Sequence, residues 1–172
     1  MRNESRANSL GKVAVVIVKE LWPEFSDVSE YKNATYLDKA GIDGWLNHVP
    51  VQIKADRNIA IKGNFYKEHY KKTYENRTVH QGDPWRITPF YAVNLVFITS
   101  YKAYIVSVDA FARAAIGRPV TQVLPTSIGV LVPISEVDIQ EERDHDHSLD
   151  EYALKEKNGD KSDMIFEVKK EE

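Results

Sequence analysis

The sequence predicts an α/β domain, and three stretches predict it. Residues 9–22 carry apolar side chains at helical spacing, residues 42–55 alternate as a hairpin does, and residues 92–116 read as strand, strand, helix. A chain of 172 residues holds one such domain, because domains commonly run about 100–200 residues and little would remain for a second core. Hydrophobic residues at 42% and charged residues at 28% supply an adequate core and exclude wholesale disorder.

The first element is a helix from Ser9 to Trp22. Leu10, Val13, Val16, Ile17 and Leu21 share a face, Ser9 is available as an N-cap, and Pro23 marks the end. The β-branched run Val13 to Val18 also fits a buried strand, and periodicity alone does not separate the two. Residues 25–39 form a polar connector with room for a short strand near Ala34 to Leu37. Ile42 to Leu46 and Val49 to Ala55 make a hairpin across Asn47-His48, with residues 58–63 prolonging the second arm or forming another strand. Residues 65–77 are polar, aromatic and basic, and residues 79–89 read as a loop. A second hairpin joins residues 92–99 to 103–108 through Ser100-Tyr101-Lys102. A short helix spans Asp109 to Ile116, capped by Asp109 and stopped by Gly117 and Pro119. A last strand runs from Ile128 to Ile134, and a weak helix is expected around Leu149 to Lys157.

The net charge of -3 hides an asymmetry. Residues 136–172 carry 14 acidic and 6 basic side chains, or -8, which leaves 17 - 12 = +5 for residues 1–135. The expected organisation is therefore a body over 1–135 and an acidic, flexible tail over 136–172. A basic body favours a polyanionic partner through phosphate contacts. With no cysteine, disulfides, thiolate metal sites and a cysteine nucleophile are excluded, so any metal is held by oxygen or imidazole. The longest apolar run, Val13 to Val18, is far shorter than the roughly 20 residues of a membrane-spanning helix. Without a small-residue cleavage site after it, an intracellular (cytoplasmic) location and no membrane partner are expected.

If Asn47-His48 is a two-residue loop, Leu46 faces Val49 and Asp43 faces Gln52. Opposed side chains have Cβ atoms roughly 4.5–5.5 Å apart, and Lys54 projects from the same face as Gln52. A carboxylate, an amide oxygen and an ammonium then share one patch, while Ile42, Gly44, Val51 and Ile53 turn to the core. As an ordinary reading, Asp43 and Gln52 form a cross-strand pair and Lys54 is a solvated strand residue.

The series Gly41-Ile42-Asp43 followed by Gln52-Ile53-Lys54 resembles the active-site hairpin of the PD-(D/E)XK nuclease superfamily, which includes restriction enzymes and archaeal Holliday-junction resolvases. The resemblance extends to element order, a helix before the motif and a strand, strand, helix series after it. It implies a restriction-endonuclease-like mixed central sheet flanked by helices, and metal-dependent hydrolysis of DNA phosphodiester bonds. In that reading Asp43 and Gln52 bind Mg2+ (or Mn2+) and Lys54 lies beside the attacking water. Family enzymes often add an acidic residue from the first helix, for which Glu20 is the candidate as a further catalytic and metal-binding residue, with Glu24 as the fallback. Gln52 departs from the usual Asp or Glu, which removes a charge and keeps open a catalytically inactive DNA-binding or assembly protein on the same fold. Asp38 and Asp56 bracket the motif as further carboxylates.

From Lys54 to Arg77 seven basic residues stand against three acids, interleaved with Phe65, Tyr66, His69, Tyr70 and Tyr74. Arg57, Lys62, Lys67, Lys71, Lys72 and Arg77 are thus the candidate DNA-binding residues. An amphipathic surface helix packing its tyrosines on the core explains the same stretch equally well. Asp144-His145-Asp146-His147 contains metal-capable groups but reads as solvated tail. No P-loop, nucleophile elbow or HExxH element occurs, which leaves nucleotide hydrolases, serine hydrolases and zincins without support. DNA is the expected partner; both a monomer and a homodimer stay open.

Overall fold

The computed structural model describes residues 2–32, 41–56, 63–68, 70–74, 77–81, 92–124 and 127–152. Helix α1 (Arg2–Leu21) buries Val13, Ala14, Ile17 and Val18 along one stripe, so the β-branched run is helical. The helix begins well before Ser9, which lies inside it and does not cap it. Its end comes before Pro23, where the Trp22 amide still reaches the Val18 carbonyl at 2.8 Å. Among the described residues no helix is long and apolar enough to cross a membrane.

The strands follow as β1 (Ser26–Asp27), β2 (Gly44–Leu46), β3 (Val49–Ala55), β4 (Asn64–Glu68), β5 (Tyr70–Tyr74), β6 (Arg77–Gln81), β7 (Asn94–Thr99) and β8 (Lys102–Ser107). Helix α2 (Val108–Ala115) precedes β9 (Val120–Leu124), β10 (Ser127–Pro133) and β11 (Glu141–Asp144). Six strands form the main sheet in the order β1-β2-β3-β7-β8-β11. β3 and β7 run parallel and the other neighbours antiparallel, so the fold is mixed α/β, as expected.

Alternation along the central strands divides the interior in two. Val51, Val96, Ile98, Ala103 and Ile105 face α1, and Ile53 and Ala55 pack against that core. Leu95, Phe97, Tyr104 and Val106 face the other way, onto Phe65 of β4, Phe111 of α2, and Val130 and Val132 of β10. Phe65 stacks on Phe97 with centroids 4.3 Å apart.

Several elements differ from the sequence reading. Residues 64–68, 70–74 and 77–81 are strands, with β4 joining β10 and β9 in a second sheet and β5 pairing β6 in a third. The amphipathic-helix alternative for this stretch is therefore replaced by strands; Tyr66, Tyr70 and Tyr74 recur every fourth residue, a spacing that fits the period of two of a pleated strand as well as a helical turn. Ser107, not Asp109, caps α2: its hydroxyl accepts from the Ala110 amide at 3.0 Å, with Asp109 in the first turn. Residues 137–152 are also docked. β11 adds to β8, and Leu149 and Tyr152 are buried against α1. A few large side chains suffice for docking once β8 offers an open edge to pair with. The short strand expected near Ala34 to Leu37, the extension over 58–62 and residues 153–172 lie outside the described residues.

Candidate active site

The β2–β3 hairpin turns through Asn47 and His48, whose φ values of 53° and 66° are those of a type I′ turn. The register is the expected one from Leu46 opposite Val49 through Trp45 opposite Pro50 to Gly44 opposite Val51, where β2 begins, and the expected Asp43–Gln52 pair is not one of its pairs. Gly44 is required by close approach, since a Cβ there would lie 2.4 Å from the Ser26 carbonyl oxygen and 2.3 Å from the Phe25 ring. This lets β1 lie against β2. Gly41, at φ 80°, sets the chain's entry to Asp43.

At Asp43 the ladder changes character. Its amide donates to the Val51 carbonyl at 2.8 Å, and its Oδ2 accepts from the Ile53 amide at 2.7 Å. The carboxylate thus takes the place of a strand carbonyl and is fixed between Gln52 and Lys54, the neighbours of Ile53. Gln52 lies beside Leu95 and Lys54 beside Phe97 in the parallel register, which puts both on the face away from α1. Gln52 Oε1 is buried and has no hydrogen-bond partner among the described residues. A buried amide oxygen left unpaired costs about 1–3 kcal/mol, so such an atom calls for an explanation.

Asp56 and Lys67 add two buried charges, at 6% and 7% exposure. Asp56 Oδ2 accepts from the Tyr66 amide at 3.1 Å, which ties the end of β3 to β4. Lys67, a candidate DNA-binding residue, is expected from sequence to be exposed; the structure corrects this and buries it on β4. Lys71 and Lys72 lie on β5 and Arg77 on β6, whereas Arg57, Lys62 and Asp38 fall outside the described residues.

Glu20 has a different setting. It sits near the end of α1, on the other face of the sheet, and its Oε2 lies 2.9 Å from His147 Nε2. The sequence missed this pairing because it joins residues far apart in the chain, and residues 144–147 carry no periodic signal. His145 and His147 are buried, which corrects the expectation of a solvated tail. The His147 amide donates to His145 Nδ1 at 3.0 Å, which leaves His145 Nε2 as the protonated nitrogen, donating to the Thr99 carbonyl at 2.7 Å. These groups clamp the C-terminal segment onto the β7–β8 turn. Glu24 lines a separate groove with Trp45.

Among the described residues no three His, Asp or Glu side chains converge as a metal cluster would. The hairpin offers the Asp43 carboxylate and the Gln52 amide oxygen, and the Asp56 carboxylate follows directly after β3. No family model, curated protein or solved structure matches this chain.

Proposed function

We propose that the chain is a metal-dependent nuclease that hydrolyses DNA phosphodiester bonds at the face of the β2–β3 hairpin, with Asp43, Gln52 and Lys54 as its working residues. The observation that carries this reading is the buried Gln52 Oε1, without a partner among the described residues, next to the fixed Asp43 carboxylate. An acceptor-only oxygen beside an anion fits a hard cation, and Mg2+ or Mn2+ accepts amide and carboxylate oxygens. Asp43 and Gln52 would hold the ion, which when bound lowers the pKa of a water and neutralises phosphate charge. Asp43 is preorganised by Ile53, and Gln52 by its place in a central strand. Lys54 supplies a fixed positive charge for the phosphate as negative charge grows on it. Hydrolysis adds water across the P–O bond, with the new O–P bond forming as the sugar oxygen leaves with a proton.

The test is cleavage of linear, nicked and branched DNA with and without magnesium or manganese. Asp43→Ala and Lys54→Ala should each lower the rate about 100- to 1,000-fold, as loss of one preorganised group typically does. Gln52→Glu should keep or raise activity and tighten metal binding in calorimetry. Wild-type rates from Asp43→Ala would remove the hairpin from the chemistry. The Gln52 amide in place of a carboxylate, with Glu20 held by His147, favours a second reading, a catalytically silent DNA-binding protein on this fold. Binding without metal-dependent cleavage by the wild-type chain would select it.

A further inference from the structure

A groove of about 450 Å³ opens beside the hairpin, lined by Glu24, Ser26, Tyr31, Trp45, Asn47 and His48. Two aromatic side chains line it. The Tyr31 and Trp45 rings have centroids 5.0 Å apart and are inclined by 55° to each other. Tyr31 is 44% exposed and is steadied by a 2.9 Å hydrogen bond between its hydroxyl and Ser26 Oγ. Trp45 faces Pro50, and Pro50 alternates with Gln52, so Trp45 stands on the same face of the hairpin as the proposed site. Two residues of strand separate Trp45 from Asp43, roughly 7 Å.

We propose that this groove binds one unpaired nucleobase adjacent to the scissile phosphate, which makes the substrate a nucleic acid with a single-stranded or extruded nucleotide beside the cut. The proposal rests on the nuclease reading and names its substrate class. Aromatic faces bind bases by stacking regardless of sequence. The rim decides which part of a nucleotide enters. The Glu24 carboxylate repels a phosphate but accepts from a base N–H, and Asn47 offers both a donor and an acceptor to a base edge. A base stacked within a duplex keeps both faces covered and has none to give to Trp45.

The experiment uses the full chain without metal, with fluorescence anisotropy of a labelled oligothymidylate and of a blunt, fully paired hairpin. Tyr31→Ala and Trp45→Ala should each weaken single-strand binding about fivefold or more, the low end for one base–aromatic stack, and leave duplex binding unchanged. Trp45→Phe, which keeps a ring, should retain most of the affinity. Tyr31 is exposed, so its variant folds even if Trp45→Ala does not. Equal single-strand affinity for wild type and Tyr31→Ala overturns the proposal, as does binding of a neutral oligosaccharide in place of the oligothymidylate. A chain that cuts DNA in magnesium but binds single strands independently of both rings sinks the base subsite alone. Binding through the rings with no cleavage supports the subsite and sinks the hydrolytic reading alone.

Discussion

Gln52 concentrates the question of function in one atom. If its Oε1 has no cation to meet, replacing the side chain by leucine removes an unpaired buried acceptor and should be neutral or stabilising, because an acceptor left in that state costs about 1–3 kcal/mol. If it is a ligand, magnesium should raise the thermal midpoint of the wild type by mass action and leave Gln52→Leu unmoved. Equal magnesium shifts in the two proteins would remove Gln52 from the ion. His145 makes a second residue-scale prediction. Burial lowers its pKa from the ordinary value, while its bond to the Thr99 carbonyl opposes the shift and nearby His147 adds to it. The unfolded chain therefore takes up the proton first. Stability is complete above about pH 6.5 and falls as the pH drops from there through the lowered folded value. Urea midpoints between about pH 8 and pH 5 should fall for the wild type and fall less for His145→Gln; parallel curves would clear His145. At this scale the sequence was legible where chemistry is local. The Asn47-His48 turn, and with it the register from Leu46 opposite Val49 to Gly44 opposite Val51, could be counted from the sequence. The burial of Lys67 and the Glu20–His147 pair could not, because each depends on strands that meet only in the folded chain.

The elements that could be read are those whose neighbours in space are neighbours in sequence. The two hairpins and α2 arose at or near their expected positions because turn chemistry and alternation act within a few residues. By contrast β4 pairs β10 far along the chain, from Asn64 opposite Pro133 to Glu68 opposite Gly129, and nothing local marks that partnership. The same holds for β11. Its pairing with β8 is reinforced by Lys102, whose ammonium reaches Glu142 at 3.2 Å and Asp144 at 2.9 Å and is held charged by them. Beyond it the segment crosses the β7–β8 turn and delivers Leu149 and Tyr152 to the α1 core, where Leu149 is 0% exposed. Ending the chain after His147 should therefore destabilise the protein by at least about 2–5 kcal/mol, the cost of emptying one large core position. Denaturant unfolding measures this, and an unchanged midpoint would show that residues 149–152 are not held in the core.

At the scale of the whole molecule, the acidic end of the chain is in part a piece of the body, so the +5 of residues 1–135 and the -8 of residues 136–172 do not divide into a DNA-binding domain and a free tail. β11 carries Glu141, Glu142 and Asp144 along the far edge of the main sheet, four strands from β2. Three of the basic residues proposed to meet phosphate fall on the β5–β6 ribbon, Lys71 and Lys72 on one strand and Arg77, opposite Tyr74, on the other. Lys67 is set apart from them, because the residue is only 7% exposed. Replacing Lys71, Lys72 and Arg77 together by alanine should weaken DNA binding uniformly across sequences. The dependence of log affinity on log salt should become shallower by about 0.9 for each duplex phosphate that is no longer neutralised. Lys67→Ala should do the reverse, changing stability more than the salt slope, because truncating a buried charge disturbs whatever it neutralises. Anisotropy titrations at several salt concentrations separate these outcomes: an unchanged slope in the triple variant would move the phosphate-binding surface off the β5–β6 ribbon.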